Sequence, residues 1–239
     1  MNKSFQFKQF TVNQDQCAMK IGTDGVLLGA WASINNPFSV LDIGAGTGVI
    51  ALMIAQRCNA KQIDAVEIQE DAYEQCVENF ENSPWADRLF CYHASINEFT
   101  EEMKEEKYDL ILSNPPYFVP NIKEIHISES RKKARFKDSL PFEDLIKFSS
   151  QLLSKEGQLA IIIPFSEEKK VLKIAENFNF FPNHITRVRG TKESSIKRSL
   201  LQFSLSETIL KENELVLEIR RHNYTEDYKK LVENFYLKL

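Results

Sequence analysis

The amino-acid sequence predicts an α/β fold: a doubly wound, Rossmann-like sheet of seven mostly parallel strands with an antiparallel C-terminal hairpin. Two observations favour this class. Short apolar runs alternate with helical segments from residue 40 to residue 178, which is typical of parallel βαβ units. Beyond Phe181 the strand-like stretches HITRVRG, SLLQFSL and LVLEIR follow one another without a helix, which indicates an antiparallel end.

Each predicted parallel strand is an apolar or β-branched run bounded by polar or turn residues. The first, VLDI, ends in glycines, and the fourth, YDLILS, ends at two prolines that cannot continue a hydrogen-bonded ladder. The predicted strands cover residues 40–43, 62–68, 88–93, 108–113 and 158–163.

Helices are predicted between these strands. VIALMIAQR has apolar residues at helical spacing, and DAYEQCVENF begins with acidic residues that suit the positive end of a helix dipole. The predicted helices cover residues 26–32, 49–57, 71–80, 141–153 and 166–178. Because such sheets bind ligands at the carboxyl ends of their strands, we expect one site at the loops after residues 43, 67, 93 and 113.

The composition favours a globular chain without metal or membrane contact. Of 239 residues 43% are apolar, and the four cysteines show neither a CxxC pair nor a metal-like spacing with the four histidines. The longest apolar runs are far below the roughly 18 to 20 residues that span a bilayer. We expect a cytoplasmic monomer with one domain over residues 1–239, of which residues 1–37 form an N-terminal cap.

The net charge of −4 hides an asymmetry between the two halves of the chain. Residues 1–119 carry 8 Lys and Arg against 17 Asp and Glu, for a net −9, whereas residues 120–239 carry 22 against 17, for a net +5. Since salt screens charges beyond about 8–10 Å, a polyanion responds to a local basic face and not to the average. Ordinary solvated faces would show the same totals.

A glycine-rich turn, Asp42-Ile-Gly44-Ala-Gly46-Thr-Gly48, follows the first strand. Its GxGxG spacing differs from the GxGxxG of nicotinamide enzymes, and Asp42 would repel a pyrophosphate but suits a ligand with an ammonium group. Glu67, at the end of the second strand, is placed to accept hydrogen bonds from both ribose hydroxyls of an adenosine, with Ile68 beside it. These residues favour S-adenosylmethionine as the cofactor, with S-adenosylhomocysteine as its product.

Four more residues are candidate cofactor contacts. Ser95 follows the third strand, where methyltransferases often place an Asp that accepts from the adenine amino group. Lys20, Thr23 and Asp24 precede the apolar helix VLLGAWA, where Thr23 and Asp24 could serve only as a helix cap. The functional alternative is that this segment folds over the methionine end of the cofactor.

The stretch Asn114-Pro115-Pro116-Tyr117 carries the strongest chemical signal in the chain. An exocyclic amine on a nucleobase is a poor nucleophile because its lone pair is delocalised into the ring. The side-chain oxygen of Asn114 and the carbonyl of Pro115 could accept its two N–H bonds and aim the lone pair at a methyl carbon, while proline rigidity holds both acceptors. Catalysis is then orientation plus electrostatic stabilisation.

Tyr117 is predicted to stack on the base, a contact worth about 1–3 kcal/mol in single-strand binders. A stacked duplex hides the amine, so the base must be unpaired or flipped. The structural alternative for this stretch is a proline-terminated strand with a surface aromatic.

With both loops identified, the chain resembles the class I methyltransferases with an NPPY motif, and more closely the bacterial tRNA1(Val) (adenine(37)-N6)-methyltransferases, the YfiC-like family. The matching stretches run from end to end and include FxFKQFxV at 5–12, CAMKIGTDGVLLGAWA at 17–32, LDIGAGTGVIALMIAQR at 41–57, VEI at 66–68, NPPYF at 114–118, ARF at 134–136 and YTEDYKKLVENFYLKL at 224–239. The resemblance implies methylation of the N6 amine of an adenine in the anticodon loop of a tRNA. It also implies cofactor contacts at Asp42, Gly44, Gly46 and Glu67 and a target-amine site at residues 114–117.

Two basic stretches are candidate RNA contacts. The first follows Asn-Pro-Pro-Tyr, where a loop could cross the mouth of the site and bring cations and an aromatic to phosphates and a splayed base. The second is weaker and lies near residues 192–198. The candidates are Phe118, Arg131, Lys132, Lys133, Arg135, Lys197 and Arg198.

Other functions use the same loops. A glutamine side chain of a protein presents the same lone-pair problem, but such enzymes usually carry a separate N-terminal helical domain, and only about forty residues precede the first predicted sheet strand here. DNA adenine methylation would need a larger insertion. A non-catalytic RNA-binding protein with a vestigial cofactor pocket is a different class, which intact Asn114 and Glu67 disfavour.

Overall fold

The computed structural model describes residues 4–116 and 140–238. The strands are β1 (Ser4–Gln6), β2 (Thr11–Asn13), β3 (Ser39–Ile43), β4 (Gln62–Glu67), β5 (Leu89–His93), β6 (Tyr108–Ser113), β7 (Leu153–Pro164), β8 (Phe181–Arg189), β9 (Ile196–Ser204), β10 (Lys211–Val216), β11 (Glu218–Arg220) and β12 (Asn223–Tyr224). The helices are α1 (Thr23–Trp31), α2 (Val49–Arg57), α3 (Glu70–Glu81), α4 (Ile96–Glu102), α5 (Phe142–Leu152), α6 (Glu168–Asn177) and α7 (Glu226–Val232).

The main sheet has the strand order β10-β8-β9-β7-β6-β3-β4-β5. Strands β3 to β7 are mutually parallel, and β9 runs antiparallel to both β7 and β8. The predicted doubly wound, mostly parallel sheet with an antiparallel C-terminal part is confirmed.

The predicted number of seven strands is wrong, because β10 adds an eighth strand that pairs parallel with β8. We predicted a strand over LVLEIR, residues 215–220, but the sheet instead takes KENELV, and only Leu215 of these six residues is buried. An edge strand with one solvated face needs little apolar sequence, so hydrophobic pattern alone misplaced it.

Helices cover both faces of the sheet, which is what double winding means. Along β3, Val40 faces one core with α1, α2, α3 and α7, while Leu41 and Ile43 face the other core with α4, α5 and α6. Successive strand residues point to opposite faces, so a central strand needs apolar residues at both. The fully buried β3 meets this requirement.

The strand order reverses between β3 and β6. From β3 the chain winds outward through β4 and β5, and β6 then returns to the other side of β3. A crevice forms at such a switch point, at the carboxyl ends of the strands. The glycine-rich turn after β3 and the Asn-Pro-Pro stretch after β6 therefore begin side by side.

Segments from the two ends of the described chain pack against each other. The β1–β2 hairpin meets the stretch after α7, where Lys8 N donates to the carbonyl of Phe235 at 2.8 Å and Phe7 bridges Tyr236. The Phe7 and Tyr236 rings stack with centroids 6.0 Å apart, and Phe235 is buried. The N-terminal hairpin is thus part of the same core as α2 and α7.

Within the described ranges, no helix has the length and apolar character needed to cross a membrane. A group of His, Cys, Asp and Glu side chains that could hold a metal ion is likewise absent from residues 4–116 and 140–238.

Candidate active site

The site lies at the carboxyl edge of β3 and β6. Ile43 and Ser113, the last residues of these strands, are register partners, and the Ser113 hydroxyl donates to the Ile43 carbonyl at 2.8 Å. Ser113 is fully buried, so this bond fixes the two strand ends at one height. The two loops with predicted chemistry leave the sheet from this point.

The turn after β3 is built by glycines with left-handed backbone. Gly44 has φ +74° and Gly46 has φ +55°, conformations that L side chains rarely adopt. Gly44 N donates to the Val66 carbonyl at 2.8 Å, which ties the turn to β4. A Cβ placed at Gly44 or Gly46 would meet no atom within 4 Å. The open space beside the turn is therefore available to a ligand.

Gly48 has a different role from the other two glycines. Its φ is +77°, and a Cβ there would lie 2.6 Å from Phe80 and 2.8 Å from the Cys76 sulfur. Both side chains belong to α3, so the absence of a side chain lets α3 pack against the start of α2.

Asp42 is fully buried below the turn. Its Oδ2 accepts from Ala51 N at 3.2 Å, whereas its Oδ1 has no hydrogen-bond partner among the described residues. Burial, together with a smaller contribution from the negative charge of Glu67, raises the pKa of Asp42 to about 7. A cationic ligand at the turn would lower the energetic cost of the buried carboxylate.

Glu67 ends β4 and faces the same turn. Its Oε2 accepts from Gly46 N at 2.8 Å and its Oε1 accepts from Gln69 N at 2.8 Å. Each carboxylate oxygen retains a further lone pair, so Glu67 can still accept from a pair of ligand hydroxyls. Ile68 follows with 46% of its surface exposed, an apolar side chain next to this carboxylate.

Ser95 is the N-cap of α4. Its hydroxyl accepts from Glu98 N and donates to the Glu98 carboxylate at 2.7 Å, while Ser95 N donates to the same carboxylate. This reciprocal pattern is a capping box, which the Ser-x-x-Glu spacing indicates. Sequence analysis considered Ser95 only as a contact to adenine and missed α4.

His93 is a neighbour that sequence analysis also missed. The rings of His93 and Tyr73 stack with centroids 5.2 Å apart, and His93 Nε2 lies 3.1 Å from the Ile68 carbonyl. This stack fixes the backbone at Ile68. The sequence did offer a signal for it, since His93 ends one predicted strand and the acidic Glu67 lies at the end of the strand before it.

The Asn-Pro-Pro stretch leaves β6 directly after Ser113. Asn114 is half-buried, Pro115 is buried and Pro116 is exposed. A Cβ at Gly25 of α1 would lie 3.9 Å from Asn114 Nδ2, so the first turn of α1 backs onto this side chain. The predicted roles of Tyr117, Phe118, Arg131, Lys132, Lys133 and Arg135 concern residues outside the described ranges.

The segment between β2 and α1 lies against α3 and the glycine-rich turn. The buried Asn79 amide accepts from Asn13 N at 2.7 Å and donates to the carbonyls of Asn13 and Thr47, each at 2.9 Å. Gln75 accepts from Gln16 N at 3.1 Å. One face of α3 thus holds this segment beside the site, a connection that helical periodicity does not reveal.

Cys17 and Lys20 lie on this segment. Burial raises the pKa of the Cys17 thiol to about 11, and the negative charge of Glu67 adds to the increase. Cys17 is therefore a neutral thiol near Glu67. The Lys20 ammonium donates to the Gln14 carbonyl, which stabilises the turn that leads into α1.

Thr23 and Asp24 begin α1, but neither caps it. The N-cap is Gly22, without a side-chain cap, so the capping interpretation of these two residues is wrong. The Asp24 carboxylate instead pairs with the Arg198 guanidinium of β9 at 2.7 Å. This ion pair joins a predicted cofactor contact to a predicted RNA contact.

Comparisons with known proteins agree with this architecture. The sequence profile of the methyltransferase small domain family matches residues 25–184. A protein of Christiangramia forsetii described as tRNA1(Val) (adenine(37)-N6)-methyltransferase is 62% identical, over 100% of this chain and 99% of the relative. A Flavobacterium johnsoniae protein of the same description is 59% identical, over 98% and 100%. Among solved structures, one described as a predicted O-methyltransferase from Agrobacterium tumefaciens aligns with a TM-score of 0.70 at 19% identity, covering 89% of this chain and 96% of that one.

Proposed function

The chain belongs to the family of tRNA1(Val) (adenine(37)-N6)-methyltransferases, and on this premise we propose that the crevice between β3 and β6 transfers a methyl group from S-adenosylmethionine to the N6 amine of adenine 37 in that tRNA. One observation carries the proposal. Asn114 and Pro115 leave β6 at the same edge of the sheet, and at the same height, as the glycine-rich turn after β3. An amine acceptor pair and a cofactor turn therefore share one crevice.

The residues of the turn fit the cofactor. Gly44 and Gly46 leave open space at the backbone, Asp42 offers a buried carboxylate to an ammonium group, and Glu67 offers lone pairs to ribose hydroxyls. S-adenosylmethionine, when bound, supplies an electrophilic methyl group on its sulfonium. Ile68 packs on the adenine ring of the cofactor through its exposed apolar side chain.

The remaining predicted cofactor contacts act at the borders of this pocket. Ser95 caps α4 below the adenine end, and its backbone carbonyl accepts a hydrogen bond from Phe99 N of that helix. Lys20 and Thr23 shape the segment that leads into α1, on the methionine side. Asp24 positions α1 through Arg198, so we propose it as a positioning residue.

The target amine is oriented by two oxygens. Asn114 Oδ1 and the Pro115 carbonyl each accept one N–H of the adenine, which aims the nitrogen lone pair at the methyl carbon. As the N–C bond forms and the C–S bond breaks, positive charge develops on the nitrogen, and the same two oxygens stabilise it. One N–H proton then leaves to solvent. Pro116 stiffens the stretch, and Tyr117, outside the described ranges, stacks on the flipped base.

The RNA partner is held by cations around the crevice. Phe118, Arg131, Lys132, Lys133 and Arg135, outside the described ranges, and the exposed Lys197 are the proposed contacts with the anticodon loop. Arg198 contributes through its ion pair with Asp24. We further propose that the enzyme acts as a cytoplasmic monomer with a single domain over residues 1–239, in which residues 1–37 form the cap.

The test is Asn114→Ala. Loss of one of the two amine acceptors should lower kcat/KM for methyl transfer to tRNA1(Val) by about 10²–10³-fold or more, because orientation and charge stabilisation are lost together. Affinity for S-adenosylhomocysteine should change less than about threefold, since the cofactor turn is intact. Methylation is measured by mass spectrometry of N6-methyladenosine in digested tRNA, and binding by calorimetry.

The matched control is Asn97→Ala. The Asn97 side chain is exposed on α4 and contacts only Glu101 at 3.3 Å among the hydrogen bonds described, so turnover should be unchanged. Near-normal turnover of Asn114→Ala would remove Asn114 from the reaction. Absence of N6-methyladenosine with the unmodified enzyme would refute the assigned activity itself.

A further inference from the structure

A cavity of about 580 Å³ lies beside Thr23, the first residue of α1. It is lined by Thr23, Glu218, His222, Tyr224, Tyr228 and Tyr236, together with residues of the β8–β9 turn and the end of the described chain. Cavities of roughly 300–1,000 Å³ hold small organic groups. None of these tyrosines takes part in the methyl-transfer site described above.

The cavity and the amine site share one short stretch of helix. Thr23 lines the cavity, and Gly25, two residues further along α1, backs onto Asn114. Two residues of α-helix correspond to a rise of about 3 Å. A polymer whose reacting unit lies at Asn114 therefore has a neighbouring unit within reach of this cavity.

The walls of the cavity suit a flat, polar-edged ring. Tyr224 is half-buried, and its ring lies 5.1 Å from that of Tyr228 at an angle of 48°. Burial raises the pKa of Tyr228, and its hydrogen bond with Tyr236 acts in the same direction, so both phenols are neutral donors and acceptors. Nucleobases stack on such aromatic side chains and bond to their hydroxyls.

One carboxylate faces the cavity. Glu218 Oε1 accepts from His222 N at 3.2 Å, and its Oε2 accepts no hydrogen bond from any residue in the described ranges. An ionised carboxylate accepts from N–H groups and repels phosphate. The occupant therefore presents an exocyclic amino group, as adenine, cytosine and guanine do, and keeps its phosphates outside.

Exposed cations lie on the segments that line the cavity, and Lys238 is itself a lining residue. Arg220 ends β11 and Arg221 follows it, between the lining residues Glu218 and His222. Lys192 and Lys197 are exposed near the β8–β9 turn, which contributes Gly190 to the lining. Within residues 4–116 and 140–238, no carboxylate forms an ion pair with any of these five side chains. Exposed cations on the segments that line an aromatic cavity fit a nucleic-acid strand, with a base inside the cavity and phosphates outside it.

We propose that this tyrosine-lined cavity binds an unpaired, amino-bearing nucleobase of the tRNA next to the adenine that is methylated. The inference rests on the proposed function and adds a second point of RNA recognition to it. Holding a flanking base fixes the register of the loop, so that one adenine and not its neighbours reaches Asn114.

The test compares Tyr224→Leu with Tyr224→Phe. Leucine keeps apolar volume but removes the ring, whereas phenylalanine keeps the ring, so Tyr224→Leu should weaken binding of transcribed tRNA1(Val) about 5- to 100-fold and Tyr224→Phe much less. The affinity for S-adenosylhomocysteine should stay as in the unmodified enzyme. Thermal unfolding of both variants shows whether each one is folded.

An abasic scan identifies the base. Anticodon stem–loop RNAs with one nucleobase removed at each loop position are bound to the unmodified enzyme and to Tyr224→Leu. Removal of the nucleobase at one flanking position should weaken binding to the unmodified enzyme but not to Tyr224→Leu. The proposal would be overturned if, at every loop position, the losses of binding free energy from base removal and from Tyr224→Leu were additive. Unchanged tRNA affinity of a folded Tyr224→Leu protein would also overturn it, as expected if the cavity serves a protein partner. Because binding is measured without turnover, this result is independent of whether the unmodified enzyme methylates the RNA.

Discussion

At the residue scale, Asp42 places a buried carboxyl group beneath the glycine-rich turn. Its carboxyl group is fully buried, one oxygen lacks a partner among the described residues, and its pKa is raised to about 7. The unfolded chain has the ordinary value of 3.8. Between these two pH values the folded state binds more protons than the unfolded state. The free energy of unfolding therefore falls as pH rises through this window and levels off above it.

We predict that Asp42→Asn removes this slope. The contribution of a single group with such a shift is about 4 kcal/mol between pH 4 and pH 8. Urea unfolding without ligand at pH 4 and pH 8 measures it, with the exposed Asp87→Asn as the control. Burial also raises the pKa of Asp64, which adds a pH dependence of stability with the same sign. The contribution of Asp42 is therefore the difference in slope between Asp42→Asn and the unmodified protein. Equal slopes in Asp42→Asn and the unmodified protein would contradict the assigned pKa.

At this scale the positions of the candidate residues were easier to predict from the sequence than their contacts. Asp42, Glu67 and Asn114 lie at the carboxyl ends of strands, as the strand pattern predicted. Ser95 was interpreted only as a ligand contact, although Ser-x-x-Glu98 also indicates a capping box. The pairing of Asp24 with Arg198 spans 174 positions and follows from no local pattern.

At the element scale, the turn after β3 joins three elements because α3 packs on Gly48. The left-handed backbone of Gly48 and the close Phe80 and Cys76 side chains leave no room for a Cβ. Asn79 of the same helix connects the turn to residue 13. Helix α3 thus contacts both the glycine-rich turn and the segment that borders it.

We predict that Gly48→Ala lowers the free energy of unfolding by about 2–4 kcal/mol, the sum of left-handed strain and overpacking. Gly22→Ala is the matched control, since a Cβ there meets nothing within 4 Å and its φ is −115°. The control should lose at most about 1 kcal/mol, because Gly22 is the N-cap of α1 and alanine is a poorer N-cap than glycine. Chemical denaturation of both variants checks this, and a Gly48→Ala protein as stable as the control would refute the packing argument.

The sequence predicted the central strands and helices to within one or two residues at most ends. VIALMIAQR is α2 and YDLILS is β6. Prediction failed where tertiary contacts decide: α4 has seven residues, β10 is a polar edge strand, and β7 begins at Leu153 through pairing with Tyr108. Short elements carry too few residues for a periodic signal.

At the scale of the whole molecule, the basic half of the chain supplies the cations at the carboxyl edge of the sheet. Arg198 of β9 is the register partner of Pro164 at the end of β7, so the β8–β9 turn lies at the same edge as the site. Lys192 and Lys197 are exposed there. The net charge of −4 therefore does not describe the local charge at this edge of the sheet.

We predict that Lys192→Ala and Lys197→Ala each weaken tRNA binding and lower the slope of log Kd against log salt by about 1, because each removes one phosphate contact. Lys155→Ala is the control, since this exposed lysine lies near the start of β7, at the opposite edge of the sheet. Filter binding at salt concentrations from about 50 to about 200 mM measures the slopes. A slope unchanged in both variants would place the RNA elsewhere.

The contact between the β1–β2 hairpin and the stretch after α7 also orders events during synthesis. Lys8 and Glu233 are 225 positions apart, yet the lysine ammonium donates to the carbonyl of residue 233. At about 5–20 residues per second, a ribosome adds residue 233 on the order of ten to forty seconds after residue 8. For that interval Phe5 and Phe7 lack their aromatic partner Tyr236, and the nascent chain leaves this part of its core open to chaperones.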